Sequence, residues 1–263
     1  KSKFTPTITD SIYILPNLLT TGNLFFGFFS VINSIQGDFT TAAVSILLAA
    51  IFDMLDGSVA RLANASSSFG IQYDSLCDLV SFGVAPVILM YQYSLGPFGR
   101  FALAVCFIYL ACGALRLARF NVISTEKAME SFIGLPIPVP ASLIACFVAF
   151  LEYLKEIDGS QLSWFLPRVH SFIITADFIA CSFFFLAIFL AFLMVSNILY
   201  RSHKSIKIKG LSSFRLSVLV VLLLAVVLSR PALMGFILFF LYVFSGPLEY
   251  LLGWQPAWDE DEI

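Results

Sequence analysis

Asp53, Asp56, Asp74 and Asp78 fall within one stretch of the chain, DMLDGSVARLANASSSFGIQYDSLCD, residues 53–78. The first pair is spaced by three residues and the second by four. On a helix either spacing puts both side chains on one face. Asn64-Ala65-Ser66-Ser67-Ser68 joins the pairs through small, mostly polar residues, a link short enough to make two helices antiparallel neighbours. Four carboxylates brought to one point repel each other unless something positive sits between them. Hard divalent cations take oxygen ligands, and Mg²⁺ is typically held by carboxylates together with phosphate oxygens. Two such ions about 3.5–4 Å apart clamp the attacking and leaving oxygens of a phosphoryl centre. Gly57 and Gly70 flank the acids and have no side chain to block a ligand. Ala60 is small, and Arg61 offers a planar fork to a phosphate. The pattern therefore predicts a site for two divalent ions, Mg²⁺ or Mn²⁺, and a diphosphate ligand.

The elements that must position these acids are membrane helices. The 263 residues are 59% hydrophobic and 12% charged, with a mean hydropathy of +0.93. A soluble domain carries about 25% charged residues. Nothing in this balance suggests a nucleic-acid partner. A membrane-spanning helix needs about 20 mainly apolar residues. Eight such runs are legible, at 17–35, 39–60, 74–95, 100–119, 136–154, 173–199, 214–229 and 231–251. Their uniform apolarity excludes the alternating strands of a membrane barrel. The expected fold is all-α, a polytopic bundle of about eight transmembrane helices. An N-terminal segment, residues 1–15, is expected to lie as an interfacial helix. Residues 16–252 form the membrane domain and 253–263 an acidic tail.

Charge sets the orientation. With both termini on one side, that side holds most of the 15 Lys and Arg, and only Arg100, Lys155, Arg168 and Arg230 fall on the other. The bias predicts cytoplasmic termini and puts the acidic stretch at the cytoplasmic face. The basic loop RSHKSIKIKGLSSFR (201–215) belongs to the same side and suits anionic lipid headgroups. Residues 1–13 contain Lys1, Lys3 and Asp10 and no apolar core, so no cleaved signal peptide is expected. Because the chain opens on Lys, a few residues are expected ahead of it. The five cysteines are scattered through apolar runs without metal-binding spacing and read as buried hydrophobes. His170 and His203 lie in loops and are not expected to act in catalysis. A cation transporter built on the aspartates is the rival from another class. It would place its site near the bilayer midplane within a repeated architecture. No repeat is visible here.

The spacing D-x2-D-G-x2-A-R-x8-G-x3-D-x3-D resembles the signature of the CDP-alcohol phosphotransferase family, with every fixed position present: Asp53, Asp56, Gly57, Ala60, Arg61, Gly70, Asp74 and Asp78. The resemblance implies cleavage of a CDP-activated lipid or alcohol, transfer of its phosphoryl-linked part to a hydroxyl, and release of CMP. It implies metal ligation by Asp53, Asp56 and Asp74. Asp78 would be the general base and a further metal contact. Gly57, Ala60, Arg61 and Gly70 would contact the nucleotide. Relatives tend to be homodimers, and the same is expected here.

The acceptor is narrowed by weaker motifs. LPNLLTTGN (15–23), DSLCDLVSFGVAP (74–86), GALRLARFNV (113–122) and FIGLPIPVPA (132–141) resemble the membrane-embedded bacterial branch that transfers phosphatidyl groups from CDP-diacylglycerol to L-serine. The likeness covers about residues 14–204, and 205–263 matches no pattern. A serine acceptor brings a carboxylate and an ammonium. Arg116 and Arg119 share a helix face and suit that carboxylate and a phosphate, while Ser81 and Asn121 offer neutral hydrogen bonds. Asn17 and Thr20 are expected at the nucleotide, although Asn17 is equally suited to cap the first helix. Glycerol 3-phosphate and inositol remain alternative acceptors. The expected location is the bacterial inner membrane, with the site facing the cytoplasm.

Overall fold

The computed structural model describes residues 8–62, 67–123, 131–156, 175–201 and 230–252. Among them the chain is almost entirely helical. Helix α1 (Ile8–Gln36) and α2 (Phe39–Leu62) form a tight antiparallel pair. The turn between them is short because its ends are satisfied locally. Gly37 takes the positive φ (82°) that closes α1, and Asp38 accepts a hydrogen bond from the Thr41 amide at 3.0 Å to cap α2. Hydrogen bonds from Thr41 hold the Asp38 carboxyl below its ordinary pKa.

A continuous helical run follows, Ser68–Val122, of 55 residues. At 1.5 Å per residue it would be about 80 Å long if straight, far beyond a hydrocarbon core of about 30 Å. It folds back instead. The first limb contains α3 (Ser68–Asp78), a π-helical stretch (Leu79–Val84), α4 (Ala85–Met90) and a second π-helical stretch (Tyr91–Leu95). A 3₁₀ turn (Gly96–Phe98) and Gly99, with φ +54°, reverse the chain into α5 (Gly99–Ile123). Bonds from Tyr109 to Phe82 and from Asn121 to Ser75 show the limbs running antiparallel. Three further helices complete the described bundle: α6 (Pro138–Glu156), α7 (Ala176–Val195) and α8 (Pro231–Leu251). Six described segments are long and apolar enough to cross a membrane, the folded-back run counted as one. The expected span 214–229 and the basic loop beyond Arg201 lie outside the described residues, as do 1–7 and the tail from 253.

The expectation of an all-α chain needs one correction. β1 (Ser131–Ile133) pairs antiparallel with β2 (Leu199–Arg201). Runs of three residues are too short to show a strand period. Gly134, at φ +73°, turns the chain sharply out of β1, and its amide donates to the Ile198 carbonyl at 2.9 Å. An added Cβ there would meet the Met194 carbonyl oxygen at 2.6 Å. The reading of 173–199 as one helix therefore overran, because α7 ends at Val195 so that β2 can pair.

Buried tyrosines donate to main-chain carbonyls where the helices depart from the regular pattern. The Phe82 carbonyl, in the π-helical stretch before Pro86, accepts from the Tyr109 hydroxyl at 3.3 Å. Pro247, inside α8, has no N–H for the Val243 carbonyl four residues back, which accepts from the Tyr200 hydroxyl at 3.1 Å. In hydrocarbon such groups must find partners within the protein. Burial raises the Tyr200 phenol above its ordinary pKa, so it stays a donor. Tyr200→Phe keeps the ring against Gly246 and removes only this bond. Thermal unfolding in detergent should show a loss of about 1–3 kcal/mol, the cost of an orphaned buried acceptor.

Candidate active site

The acidic site is built where α2 ends and α3 begins. Ser67 starts α3 by accepting from the Gly70 amide at 2.9 Å. α2 runs to Leu62, so Asp53 and Asp56 lie in its last turns. Ligand oxygens of Asp53, Asp56 and Asp74 all lie within 4.8 Å of one another. Asp78, one turn further along, is 6% exposed and stands beside this trio. Its carboxyl faces that of Asp53, and its Oδ1 accepts from Asn23 Nδ2 at 2.9 Å.

Burial makes this arrangement informative. Asp56 is 5% exposed, and its Oδ2 has no hydrogen-bond partner, nor has Asp74 Oδ1. Buried polar atoms are almost always satisfied. Three converging carboxylates, two of them with an idle oxygen, form an all-oxygen donor set, the kind that hard divalent ions select. The residues present therefore fit a divalent metal at Asp53, Asp56 and Asp74.

Asp56 and Asp74 open into a cavity of about 170 Å³, lined also by Pro16, Asn17, Thr20, Gly57, Ala60, Ser67, Gly70 and Ile71. Five of the six positions expected at the nucleotide are in that lining: Asn17, Thr20, Gly57, Ala60 and Gly70. The glycines keep it open. A Cβ on Gly70 would come within 3.1 Å of Ser67 Oγ, and one on Gly57 within 3.5 Å of Arg61 Nη1. The sixth position, Arg61, lies at the exposed end of α2, where its Nη2 donates to Ser58 Oγ at 3.3 Å. Asn17 does not cap the first helix, because α1 begins at Ile8 and passes through it.

The residues expected at the acceptor diverge. Arg116 is 9% exposed, stacks over Phe120 at 5.7 Å, and lies within electrostatic reach of Asp53 and Asp78. Its Nε has no partner. Arg119 is only half-buried. Asn121 is engaged with Ser75 and with Gln72. Ser81 is fully buried, and its hydroxyl donates to the Asn23 main-chain carbonyl at 3.0 Å. It therefore faces α1 rather than the cavity.

Two contributors were not singled out in the sequence. Asn23 was visible within LPNLLTTGN, and a buried amide in an apolar span is a functional candidate by default. Tyr242 of α8 was not, because no pattern marked residues 205–263. It lies within electrostatic reach of Arg116 and joins the last described helix to this end of the bundle.

The CDP-alcohol phosphatidyltransferase family matches residues 13–176, more than half of the chain and all of the aspartate site. The chain belongs to this family. Among named CDP-alcohol phosphatidyltransferases, it is 35% identical over 242 residues to a CDP-diacylglycerol–serine O-phosphatidyltransferase of Helicobacter pylori, covering 92% of this chain and 93% of the relative. It is 42% identical over 139 residues to an archaetidylserine synthase of Methanothermobacter thermautotrophicus, covering 52% and 58%. It is 38% identical over 144 residues to a CDP-diacylglycerol–serine O-phosphatidyltransferase of Saccharomyces cerevisiae, covering 49% and 51%. The Helicobacter match leaves so few residues out that it must reach into 205–263. The likeness thus extends beyond the motifs that carried it in the sequence.

Proposed function

We propose that this protein transfers the phosphatidyl group of CDP-diacylglycerol to the hydroxyl of L-serine, giving phosphatidylserine and CMP. The observation that carries the reading is a trio of converging carboxylates, two of which, Asp56 and Asp74, line a cavity that Gly57 and Gly70 also line. Acids without nearby space would be a charge cluster, and space without acids would bind lipid unselectively. The serine acceptor draws on the names of the relatives, two of them CDP-diacylglycerol–serine O-phosphatidyltransferases and one an archaetidylserine synthase.

Asp53, Asp56 and Asp74 would hold divalent metal, with Asp78 at its edge, as two Mg²⁺ or Mn²⁺ ions. When bound, they supply charge neutralisation at the diphosphate and at the phosphorus under attack. The chain's own residues do the rest. Asn17, Thr20, Gly57, Ala60 and Gly70 shape the nucleotide cavity, and the exposed Arg61 stands beside Gly57 of its lining. Asp78 accepts the proton of the serine hydroxyl. That oxygen attacks the phosphorus bearing diacylglycerol, its P–O bond to CMP breaks, and CMP leaves with the electron pair. Arg116 supplies a buried positive charge beside Asp78, the geometry required to hold a carboxylate acceptor. Ser81 and Asn121 are engaged by Asn23, Ser75 and Gln72, so with Arg119 they would support the acceptor site rather than line it.

The membrane-spanning helices make this a multi-pass membrane protein. We place it in the inner membrane, with about eight crossings, both termini and the active site cytoplasmic, residues 16–252 as the membrane domain, and two copies forming a homodimer. The Lys and Arg distribution supports the orientation. The purified protein, with CDP-diacylglycerol and Mg²⁺ or Mn²⁺, should release CMP with L-serine and not with glycerol 3-phosphate or inositol. Equal CMP release with either alternative would overturn the serine assignment, and metal-driven ion flux without CMP would overturn the enzyme.

A further inference from the structure

Asn23 sits midway along the first span and is fully buried. An amide so placed is costly unless its polar atoms are used. Its Nδ2 donates to Asp78 Oδ1 at 2.9 Å, while its Oδ1 has no partner. Packing alone would favour an apolar side chain at this position. Asn23 is held through its main chain as well. Its main-chain carbonyl accepts from the Ser81 hydroxyl at 3.0 Å, three residues beyond Asp78. One turn along α1, Gly27 lets Ser81 approach so closely that a Cβ would fall 2.2 Å from its Oγ. α1 and the π-helical turn after Asp78 are thereby held in register at two points, Asn23 with Asp78 and Gly27 with Ser81.

We infer that Asn23 is a positioning residue for the reaction. Its amide N–H occupies one oxygen of Asp78 and turns the other toward Asp53 and the incoming hydroxyl. The inference rests on Asp78 being the base. A carboxylate on a helix turns about two side-chain bonds, and the donor, bound to one oxygen, removes that freedom. Proton transfer then starts from one oriented oxygen. The neutral amide does this without adding a charge that would compete with the metals.

The test compares Asn23→Leu, close in size and apolar, with Asn23→Ser, which keeps a polar group too short to reach Asp78. Each should lower kcat by about 10²-fold, the scale on which misplacing a reacting group acts. The KM values for serine and CDP-diacylglycerol should not change. Mn²⁺ affinity, followed by the paramagnetic resonance of the free ion, should not change either. In an Asp78→Asn background the Asn23 substitutions should have no further effect, because the group they orient is gone. Thermal unfolding of each variant separates folding from positioning, and the serine variant serves if the leucine variant does not fold. Normal turnover in Asp78→Asn would overturn the base. A slow Asp78→Asn beside fast Asn23 variants would leave the base standing and overturn the inference. An additive loss in the double variant, or a loss confined to KM or to Mn²⁺ affinity, would also overturn it.

Discussion

Asp78→Asn should lower turnover by about 10³-fold while CDP-diacylglycerol binds as before, since a positioned general base contributes about 10²–10⁴-fold. The substitution is nearly isosteric, so the buried site loses a proton acceptor and little volume. Asp78 is the right acid for this role because it stands at the edge of the trio, facing Asp53, rather than within the convergence. The oxygens of Asp53, Asp56 and Asp74 converge within 4.8 Å, whereas Asp78 lies a turn deeper with one oxygen already occupied by Asn23. A pure metal ligand would be expected inside the convergence. Single-turnover CMP release with binding measured in parallel decides the matter. Weak binding with normal single-turnover chemistry would reassign Asp78 to substrate or metal affinity.

Much of this site was legible before any coordinates, because its geometry is local. Asp53 with Asp56, and Asp74 with Asp78, sit at helical spacings, and only one short connection is needed to bring the pairs together. Glycines at 57 and 70 announce space for the same reason. What could not be read depends on helices distant in sequence. Nothing in DSLCDLVSFGVAP distinguishes a serine that faces a ligand from one that bonds the carbonyl of Asn23, which lies 58 residues earlier. Asn17 looked like a cap because the hydropathy of the first span begins there, yet α1 extends back to Ile8 through Pro16. The π-helical turns after Asp78 and Met90 are equally hidden. They answer to Pro86 and to packing against α5, while the apolar pattern shows only one long span. Tyr242 reaches Arg116 through tertiary folding that no spacing in α8 encodes.

Asp56→Ala should abolish turnover at ordinary metal concentrations, a loss of about 10³-fold, or several kcal/mol of transition-state stabilisation by bound metal. Asp56 is the acid with the most to reveal because it touches both halves of the site. It is one of the converging trio, it lines the nucleotide cavity, and its Oδ2 is buried with no protein partner. If that oxygen is a metal ligand, its removal weakens Mn²⁺ binding directly, and high Mn²⁺ restores part of the activity. If it only shapes the cavity, the variant keeps its Mn²⁺ affinity and loses affinity for CDP-diacylglycerol. Removing Asp56 also relieves repulsion among the buried carboxylates, so the metal-free variant should unfold at a higher temperature than the metal-free parent. A stabilised, metal-blind protein would mark Asp56 as a ligand, because carboxylates crowded without a cation cost stability that only binding can return. Lower stability together with unchanged Mn²⁺ affinity would refute that role.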